Sequence, residues 1–231
     1  MMIIVRLAPR SDLSKIWDFV ENSVIKEEAT KYVTPLYATQ AEGMMSVGVI
    51  FDVKDPDNIA HFITESLSNC EECHHTNTIS LMKPIFFPIP KNRPQQIQRY
   101  IIRIYTHPRY YKDIYQYLID YNYPNNIFPI YISYSFGDED IVMNVAADSI
   151  KTAKDFVREK IRNLEGANTV LLYPVVKAKR FAPLEKLIEE QQKHITEKAK
   201  EMDESEIDKD FDWVEDFEEY AMLTGAFSRD L

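Results

Sequence analysis

Residues 70–75 form the densest group of chemically capable side chains in the chain and read Cys-Glu-Glu-Cys-His-His. Thiolates and imidazoles are ligands that zinc and copper accept readily in proteins. The candidate metal ligands are Cys70, Cys73, His74 and His75. Zinc usually takes a second ligand pair. The other three histidines are scattered along the chain, so a complete site would need donors from a second chain.

Other interpretations of residues 70–75 stay open. The string Cys-x-x-Cys-His is formally a haem-attachment motif, but that chemistry needs export and we expect no secretion signal here. The two thiols could instead form a reversible disulfide, or the segment is a polar loop between a helix and a strand. The corresponding turn at 164–167 contains no ligand, which favours the loop. The sequence therefore predicts no cofactor, with zinc as the alternative.

Outside residues 70–75, no motif has the residue types and spacing expected of a catalytic nucleophile. His107 lies beside Arg109 after a predicted strand, but a lone loop histidine is usually only solvated. There is no Gly-x-Ser-x-Gly motif, and five glycines in the whole chain argue against a phosphate-binding loop. Ten of the 14 tyrosines lie between Tyr100 and Tyr134. Without basic neighbours they favour an interface or a pocket lining over the stacking of bases.

The elements that position these residues occur twice. The string Pro-Leu-Tyr at 35–37, followed by Gly43 and an apolar run, corresponds to Pro-Ile-Tyr at 129–131, followed by Gly137 and another apolar run. A repeat of roughly 90 residues indicates a duplicated domain, because solenoid units are shorter. An interface inside such a duplication is a common position for a ligand.

Hydrophobic spacing predicts the order β-α-β-β-α-β in each half, which is the ferredoxin-like plan. Ser11 is the expected N-cap of the first helix, and the most regular helix pattern covers 149–164. Each predicted sheet keeps a second apolar face that must be buried. We therefore predict an α+β fold in which two tandem ferredoxin-like units pack sheet-to-sheet as a pseudo-dimeric α+β barrel, with a C-terminal helix and an acidic tail.

Composition shifts divide the chain into five segments. They are a first unit at 1–83, a Pro-rich connector at 84–99, a second unit at 100–180, an amphipathic helix at 181–202 and an acidic, aromatic tail at 203–231. The tail carries Phe211, Trp213, Phe217 and Tyr220 among its acids. This composition is typical of a segment that docks on a partner protein or on its own chain.

The second half contains three motifs that occur together in a known protein family. Gly-Asp-Glu-Asp at 137–140 leads into the apolar strand 141–145, an acidic-basic helix passes through 156–160, and Glu-Gly-Ala at 165–167 turns towards Thr169. This combination resembles the effector-binding (RAM) domain of the Lrp/AsnC transcription regulators. The resemblance covers residues 100–177 and, less closely, 1–83. The proline of the family's last turn is absent here, and methionines replace the acidic hairpin tip in the first half.

The resemblance implies a non-enzymatic, ligand-sensing regulatory protein that binds an amino-acid-like effector at an interface between units and forms oligomers. Family members bind effectors near the hairpin tip, which carries over to Gly137, Asp138 and Asp140, and Tyr131 is the tyrosine expected to line the same pocket. The alternative is that the glycine and the acids belong to an ordinary solvated turn. The family's helix-turn-helix has no counterpart, because the first strand begins at residue 2 or 3.

Two rival functions stay open. One is an enzyme of the dimeric α+β barrel type, such as a small monooxygenase or a haem-dependent relative, with a pocket between the sheets and His107 or a tyrosine as its reactive group. The other is a metal or redox sensor built on residues 70–75. The sequence leaves enzymatic activity open and favours a non-enzyme.

Charge and hydropathy limit the partners. The formal net charge is −10, but residues 203–219 contain ten acids and one base, so the remainder carries about −1. This balance predicts no nucleic-acid binding, because no basic excess exists to displace counterions. We find no apolar run of the roughly 18 residues that a membrane span needs. The expected setting is therefore the cytoplasm, with a small-molecule effector, a homo-oligomer and a protein partner for the tail.

Overall fold

The computed structural model describes residues 1–24, 26, 31–183, 185, 186, 188, 189 and 193. All but the last fall in a compact unit that extends from Met1 to Gln191. The predicted helix at 181–202 lies largely outside the described residues, and the acidic tail at 203–231 lies wholly outside them.

The first half contains four strands and two helical segments. They are β1 (Met2–Pro9), α1 (Leu13–Ser23), β2 (Thr34–Ala41), β3 (Val47–Asp52), α2 (Asp57–His61) and β4 (Cys73–Phe86). A π-helical turn at Phe62–Ser66 and a short 3-10 turn at Leu67–Asn69 extend α2. The N-cap of α1 is Asp12, whose carboxylate accepts from the backbone N–H of Ser14 at 2.9 Å. The expectation that Ser11 caps this helix is therefore wrong by one residue.

The second half repeats the same order of elements. They are β5 (Gln98–Thr106), α3 (Tyr111–Asp120), β6 (Ile127–Phe136), β7 (Ile141–Ala147), α4 (Ile150–Phe156) and β8 (Ala167–Arg180). A 3-10 turn at Pro108–Tyr110 precedes α3, and a π-helical turn at Val157–Ile161 extends α4. Ser149 caps α4, because its hydroxyl accepts from the backbone N–H of Thr152 at 3.2 Å.

The strands close into one antiparallel barrel in the order β1-β3-β2-β8-β5-β7-β6-β4. Each half supplies four neighbouring strands, and two seams join the halves. At one seam β2 pairs with β8, where Tyr37 lies opposite Arg180. At the other seam β4 pairs with β6, where Phe86 lies opposite Tyr131. Both seams join residues that are far apart in sequence.

Three apolar clusters follow from the alternation of side chains along the strands. In β1, Ile3, Val5 and Leu7 pack with α1 and the α2 segment on the outer face of the barrel. A matching cluster lies between β5–β8 and the helices α3 and α4. The intervening residue Ile4 belongs to the third cluster, which contains side chains of both halves and fills the barrel interior.

The structure confirms the coarse prediction of an α+β fold with a barrel. It shows a closed, eight-stranded antiparallel barrel with helices on its outer faces. The finer description, two tandem ferredoxin-like units, stays a prediction. Among the described residues, no helix has the length and apolar character needed to cross a bilayer.

Candidate functional site

A small cavity opens at one end of the barrel and is lined by residues from both seams between the halves. It lies at the starts of β2, β5 and β6 and at the ends of β4 and β8. Its volume is ≈ 30 Å³, which is room for one or two water molecules. The apolar lining residues are Leu36, Ile50, Phe86, Ile130 and Ala182, and the polar ones are Tyr37, Arg99, Tyr131 and Arg180.

The two tyrosines of the cavity occupy corresponding positions in the two halves. Tyr37 of β2 lies opposite Ile50 of β3, and Tyr131 of β6 lies opposite Asn144 of β7. Each is the tyrosine of a repeated Pro-Leu/Ile-Tyr string. The two copies of that string therefore converge on one cavity from opposite seams.

The environment of Tyr37 is cationic. A guanidinium N–H of Arg99 donates to the Tyr37 hydroxyl oxygen at 2.7 Å, and this guanidinium lies 5.7 Å from the centroid of the Tyr37 ring. Burial raises the pKa of Tyr37, and the positive charges of Arg99 and Arg180 partly oppose that rise. Tyr37 is therefore a protonated phenol at neutral pH. Within the described part of the chain, no carboxylate forms an ion pair with either arginine.

The second tyrosine of the cavity, Tyr131, is buried in the barrel interior. Its ring lies 6.0 Å from that of Phe86, centroid to centroid. Burial raises its pKa well above the ordinary value, and a hydrogen bond from the Asn144 side chain lowers it in part. Asn144 lies directly opposite Tyr131 in the pairing of β6 with β7. The charges of Glu139 and Arg6 also act on the pKa of Tyr131, in opposite directions.

Four charged residues form a cluster inside the barrel, beside the hairpin between β6 and β7. Arg6 of β1 and Arg103 of β5 are both nearly buried, and both contact the hairpin between β6 and β7. Asp138 accepts from Arg6 at 2.6 Å and from Arg103 at 3.1 Å. The fully buried Glu139 accepts from Arg6, and its other carboxylate oxygen lies 3.8 Å from Nε of Arg103. Two positive and two negative charges balance, but Nε of Arg103 and the second carboxylate oxygen of Glu139 have no hydrogen-bond partner among the described residues.

The residues predicted to bind the effector do not share one site. Asp138 belongs to the charged cluster, whereas Asp140 accepts from the Thr106 backbone N–H at 2.7 Å and from the Tyr111 hydroxyl. Gly137 has a φ of +141° and lies against Ile79. Only Tyr131 lines the cavity. An effector at the first three residues stays a prediction.

The predicted metal ligands are not gathered around one point. Cys70 is buried, Cys73 is partly buried, and His74 and His75 are exposed. Among the described residues no group of three or more His, Cys, Asp or Glu side chains could hold a metal ion. Burial raises the pKa of both thiols, which lowers their reactivity. Zinc at these residues stays a prediction that needs donors from a second chain.

The segment 70–75 has a structural role that could not be predicted from its composition. Glu72 accepts from the backbone N–H groups of Ser11 and Asp12 at 2.6 and 2.7 Å. The segment therefore joins the start of α1 to the start of β4. The resulting hydrogen bonds hold the pKa of Glu72 below its usual value.

His107 also has a local structural role. Its Nδ1 accepts from the Arg109 backbone N–H at 3.3 Å, which caps the 3-10 turn before α3. It does not line the cavity. Of the two reactive groups considered for an enzyme, the structure favours a tyrosine.

The crowded tyrosines divide between two faces of the barrel. Tyr134 stacks on Tyr115 at 4.1 Å beneath α3, whereas Tyr131 points inwards, as expected for residues an odd number apart in a strand. Burial raises the pKa of Tyr134 to about 12. Sequence reasoning missed Tyr37, Arg99 and Arg180 as site residues. The repeated Pro-x-Tyr string was the signal that could have found Tyr37.

No family model and no curated protein matches this chain. Among solved structures, a protein named only provisionally as a monooxygenase, from Fusobacterium nucleatum, has a TM-score of 0.47 at 10% identity, with 78% of this chain and 94% of that chain covered. An anthrone oxidase-like protein has a TM-score of 0.45 at 10% identity, with 79% and 94% covered. Chlorite dismutase from Candidatus Nitrospira defluvii has a TM-score of 0.44 at 12% identity, with 82% and 93% covered.

These neighbours overturn one prediction. Their names are those of a monooxygenase, an oxidase-like protein and a dismutase, so the prediction of a non-enzymatic, ligand-sensing regulator is wrong. A role in transcription regulation is not supported either. The resemblance of the second half to Lrp/AsnC effector domains stays a prediction.

Proposed function

We propose that this chain is an enzyme of the α+β barrel type, monooxygenase-like in kind, with its active site in the cavity between the two halves. The observation that carries the proposal is the pair of arginines, Arg99 and Arg180, beside the Tyr37 phenol in a cavity whose remaining lining, apart from Tyr131, is apolar. Such a site stabilises negative charge on a substrate oxygen, because pre-positioned donors act strongly where water is excluded.

The substrate class follows from the lining. Apolar walls suit a flat hydrocarbon body, and the cations suit an oxygen that becomes negative during the reaction. A phenol or an enolisable ketone has both features. We propose that Arg99 and Arg180 stabilise the phenolate or enolate, which then reduces dioxygen.

The small volume of the cavity sets a condition on binding. A space of ≈ 30 Å³ does not hold an aromatic ring. The side chain of Arg180 is exposed at the end of β8, so its outward movement would enlarge the entrance. A ligand that draws Arg180 back over its oxygen would then close the site.

The two halves that enclose the site have the same order of elements, which bears on how the site arose. We infer that the two halves are tandem ferredoxin-like units that arose by duplication. The support is the repeated order of elements and the equivalent positions of Tyr37 and Tyr131 in the barrel.

Binding of para-nitrophenol tests the cationic site, because its ionised form absorbs visible light. We expect the wild type to lower the apparent pKa of the bound phenol. Arg99→Met and Arg180→Met should each weaken binding of the phenolate about tenfold, or about 1.4 kcal/mol. Lys177→Met is the matched control, since this cation of β8 lies over Trp17, outside the cavity.

Dioxygen uptake with anthrone as the probe substrate tests the reaction. In this oxidation a CH₂ group of the substrate becomes C=O with one oxygen atom, and the other oxygen leaves as water. We expect uptake that depends on protein and falls at least tenfold in Arg99→Met. Phenolate binding that is the same in all variants, or no uptake above the control, would show the proposed function to be wrong.

A further inference from the structure

Three polar atoms of the barrel interior are buried and have no hydrogen-bond partner among the described residues. They are Nε of Arg103, the second carboxylate oxygen (Oε2) of Glu139 and the side-chain oxygen of Asn144. A fourth atom of this kind, on Gln40, lies on the outer face of the barrel, opposite Val47. A buried donor or acceptor without a partner is costly, and native proteins contain few of them. Three in one interior therefore need a common explanation.

The atoms of Arg103 and Glu139 are close enough to share one small molecule. Nε of Arg103 lies 3.8 Å from Oε2 of Glu139, which is too long for a direct hydrogen bond between these two atoms. A water oxygen about 2.9 Å from each atom would form a hydrogen bond with both. The separation therefore fits a bridge by a single water molecule.

Other contacts hold these two side chains in place. Nη1 of Arg103 donates to Asp138 at 3.1 Å, and the Arg103 guanidinium lies 5.4 Å from the centroid of the Tyr173 ring. The other carboxylate oxygen of Glu139 accepts from Arg6. A direct bond between Nε and Oε2 would disturb these contacts, whereas a bridging molecule leaves them intact.

The strand register brings the Asn144 side chain to the same interior face as Arg103. In the pairing of β5 with β7, Arg103 lies opposite Val142, and Ile101 lies opposite Asn144. Ile101 and Val142 both belong to the interior cluster. Since side chains two residues apart in a strand share a face, Arg103 and Asn144 are diagonal neighbours inside the barrel. Such neighbours are within the reach of a long side chain.

The three atoms together match the hydrogen-bonding capacity of water. Nε of Arg103 is a donor, whereas the oxygens of Glu139 and Asn144 are acceptors. A water molecule accepts from one donor and donates to two acceptors, and buried waters typically form about three hydrogen bonds. A metal or ammonium cation could not accept from Arg103, and a halide could not donate to the two oxygens. Water is the small ligand that satisfies all three atoms.

We propose that one water molecule is a permanent part of the barrel interior, where it accepts from Arg103 and donates to Glu139 and Asn144. The ion pair of Arg103 with Glu139 is then separated by this water, and the acidic hairpin is joined through it to β7. The site is distinct from the cavity between the seams, because none of the three residues lines that cavity. The proposal does not depend on the proposed function.

A high-resolution crystal structure of the wild type tests the site directly. We expect one density peak for a water oxygen within hydrogen-bond distance of Nε of Arg103, Oε2 of Glu139 and the Asn144 oxygen. A direct hydrogen bond between Arg103 Nε and Glu139, or the absence of a peak between them, would overturn the proposal. This measurement needs no variant, so it decides the question even if a substitution prevents folding.

Oxygen-17 relaxation dispersion of the solvent tests the same site in solution, because it counts internal waters with long residence times. We expect Asn144→Leu to contain one such water fewer than the wild type, since the variant loses one acceptor and fills the space with an apolar side chain. Met143→Leu is the matched control, because Met143 is the preceding residue of β7 and faces the outer cluster. It should keep the wild-type count.

An equal count in the wild type and in folded Asn144→Leu would refute the role of Asn144 in holding the water. Circular dichroism and a thermal melt confirm that each variant is folded. Neither measurement uses a substrate, so this proposal and the proposed function succeed or fail separately.

Discussion

Glu139 is the one buried carboxylate among the described residues, and its position between two guanidiniums explains how it can be buried. Removing a carboxylate from water costs several kcal/mol, which the nearby charges of Arg6 and Arg103 offset. The net gain of such a cluster is small, but the loss on breaking it is large. The cluster therefore fixes one arrangement of the barrel interior more than it adds stability.

Replacement of Glu139 by glutamine should lower the free energy of unfolding by about 3 kcal/mol. The shape of the side chain is kept, but two buried guanidiniums are left with one carboxylate, Asp138. Urea unfolding at neutral pH measures the difference.

Asp138→Asn is the control, because it removes the same charge from the same two arginines. The Asp138 side chain is 38% exposed, so water replaces its hydrogen bonds and the loss should be about 1 kcal/mol. Equal losses in the two variants would show that burial does not control the strength of this cluster.

Only some of the residues in the charged cluster and in the cavity could be predicted from the sequence. The acidic residues of the hairpin form a recognisable sequence motif, and this motif predicts Asp138 as a site residue. The arginine partners of these acids could not be predicted, because Arg6 and Asp138 are 132 residues apart and no local pattern links them. Arg99 and Arg180 were missed for the same reason, since they meet Tyr37 only when the barrel closes.

At the scale of elements, the turn before β8 depends on glycine. Gly166 has a φ of +82°, in the left-handed region, and a Cβ at this position would overlap the ring of Tyr110. The turn is also fixed by the Thr106 hydroxyl, which donates to the Gly166 carbonyl at 2.5 Å. Backbone conformation and packing therefore both exclude a side chain here.

Gly166→Ala should reduce the free energy of unfolding by about 3 kcal/mol, because backbone strain and overlap with Tyr110 add. Gly43→Ala is the matched variant, with a similar φ of +77° but only a 4.0 Å contact to Tyr173. Its loss should be about 1 kcal/mol, from the backbone alone. Chemical unfolding of both proteins measures the two losses, and similar values would contradict the packing argument.

Most elements could be predicted from local pattern, and the errors in strand length have one cause. Hydrophobic spacing predicts a helix over 111–121, and the structure has this helix at Tyr111–Asp120. Apolar runs predict strands at 78–82 and 170–176, but the observed strands are much longer, at Cys73–Phe86 and Ala167–Arg180. Their extensions pair with β6 and β2 across the seams, and such long-range pairing leaves no local signal. Pro84 falls inside β4, although proline there indicated a connector.

At the scale of the whole molecule, closure of the barrel makes each half depend on the other. The interior cluster combines Ile4, Ile50 and Ile79 of the first half with Ile101 and Val142 of the second. If either half opened alone, it would expose this apolar face and two strand edges to water. The halves are therefore expected to unfold together.

Equilibrium unfolding should show one transition for both halves. In a Trp213→Phe variant, the fluorescence of the buried Trp17 reports on the first half, and the near-ultraviolet dichroism of the tyrosines reports mainly on the second. The two curves should coincide in midpoint and slope. Two separate midpoints would show that the seams do not couple the halves.

The shared use of one acidic hairpin by Arg6 and Arg103 has a consequence for a chain that is cut between its halves. Two copies of the N-terminal half would enclose two guanidiniums against methionine-tipped loops, and two copies of the C-terminal half would crowd four carboxylates around two guanidiniums. Neither self-pairing is electrically neutral. If the chain were cut between its halves, we therefore expect each fragment to assemble with the other and not with itself.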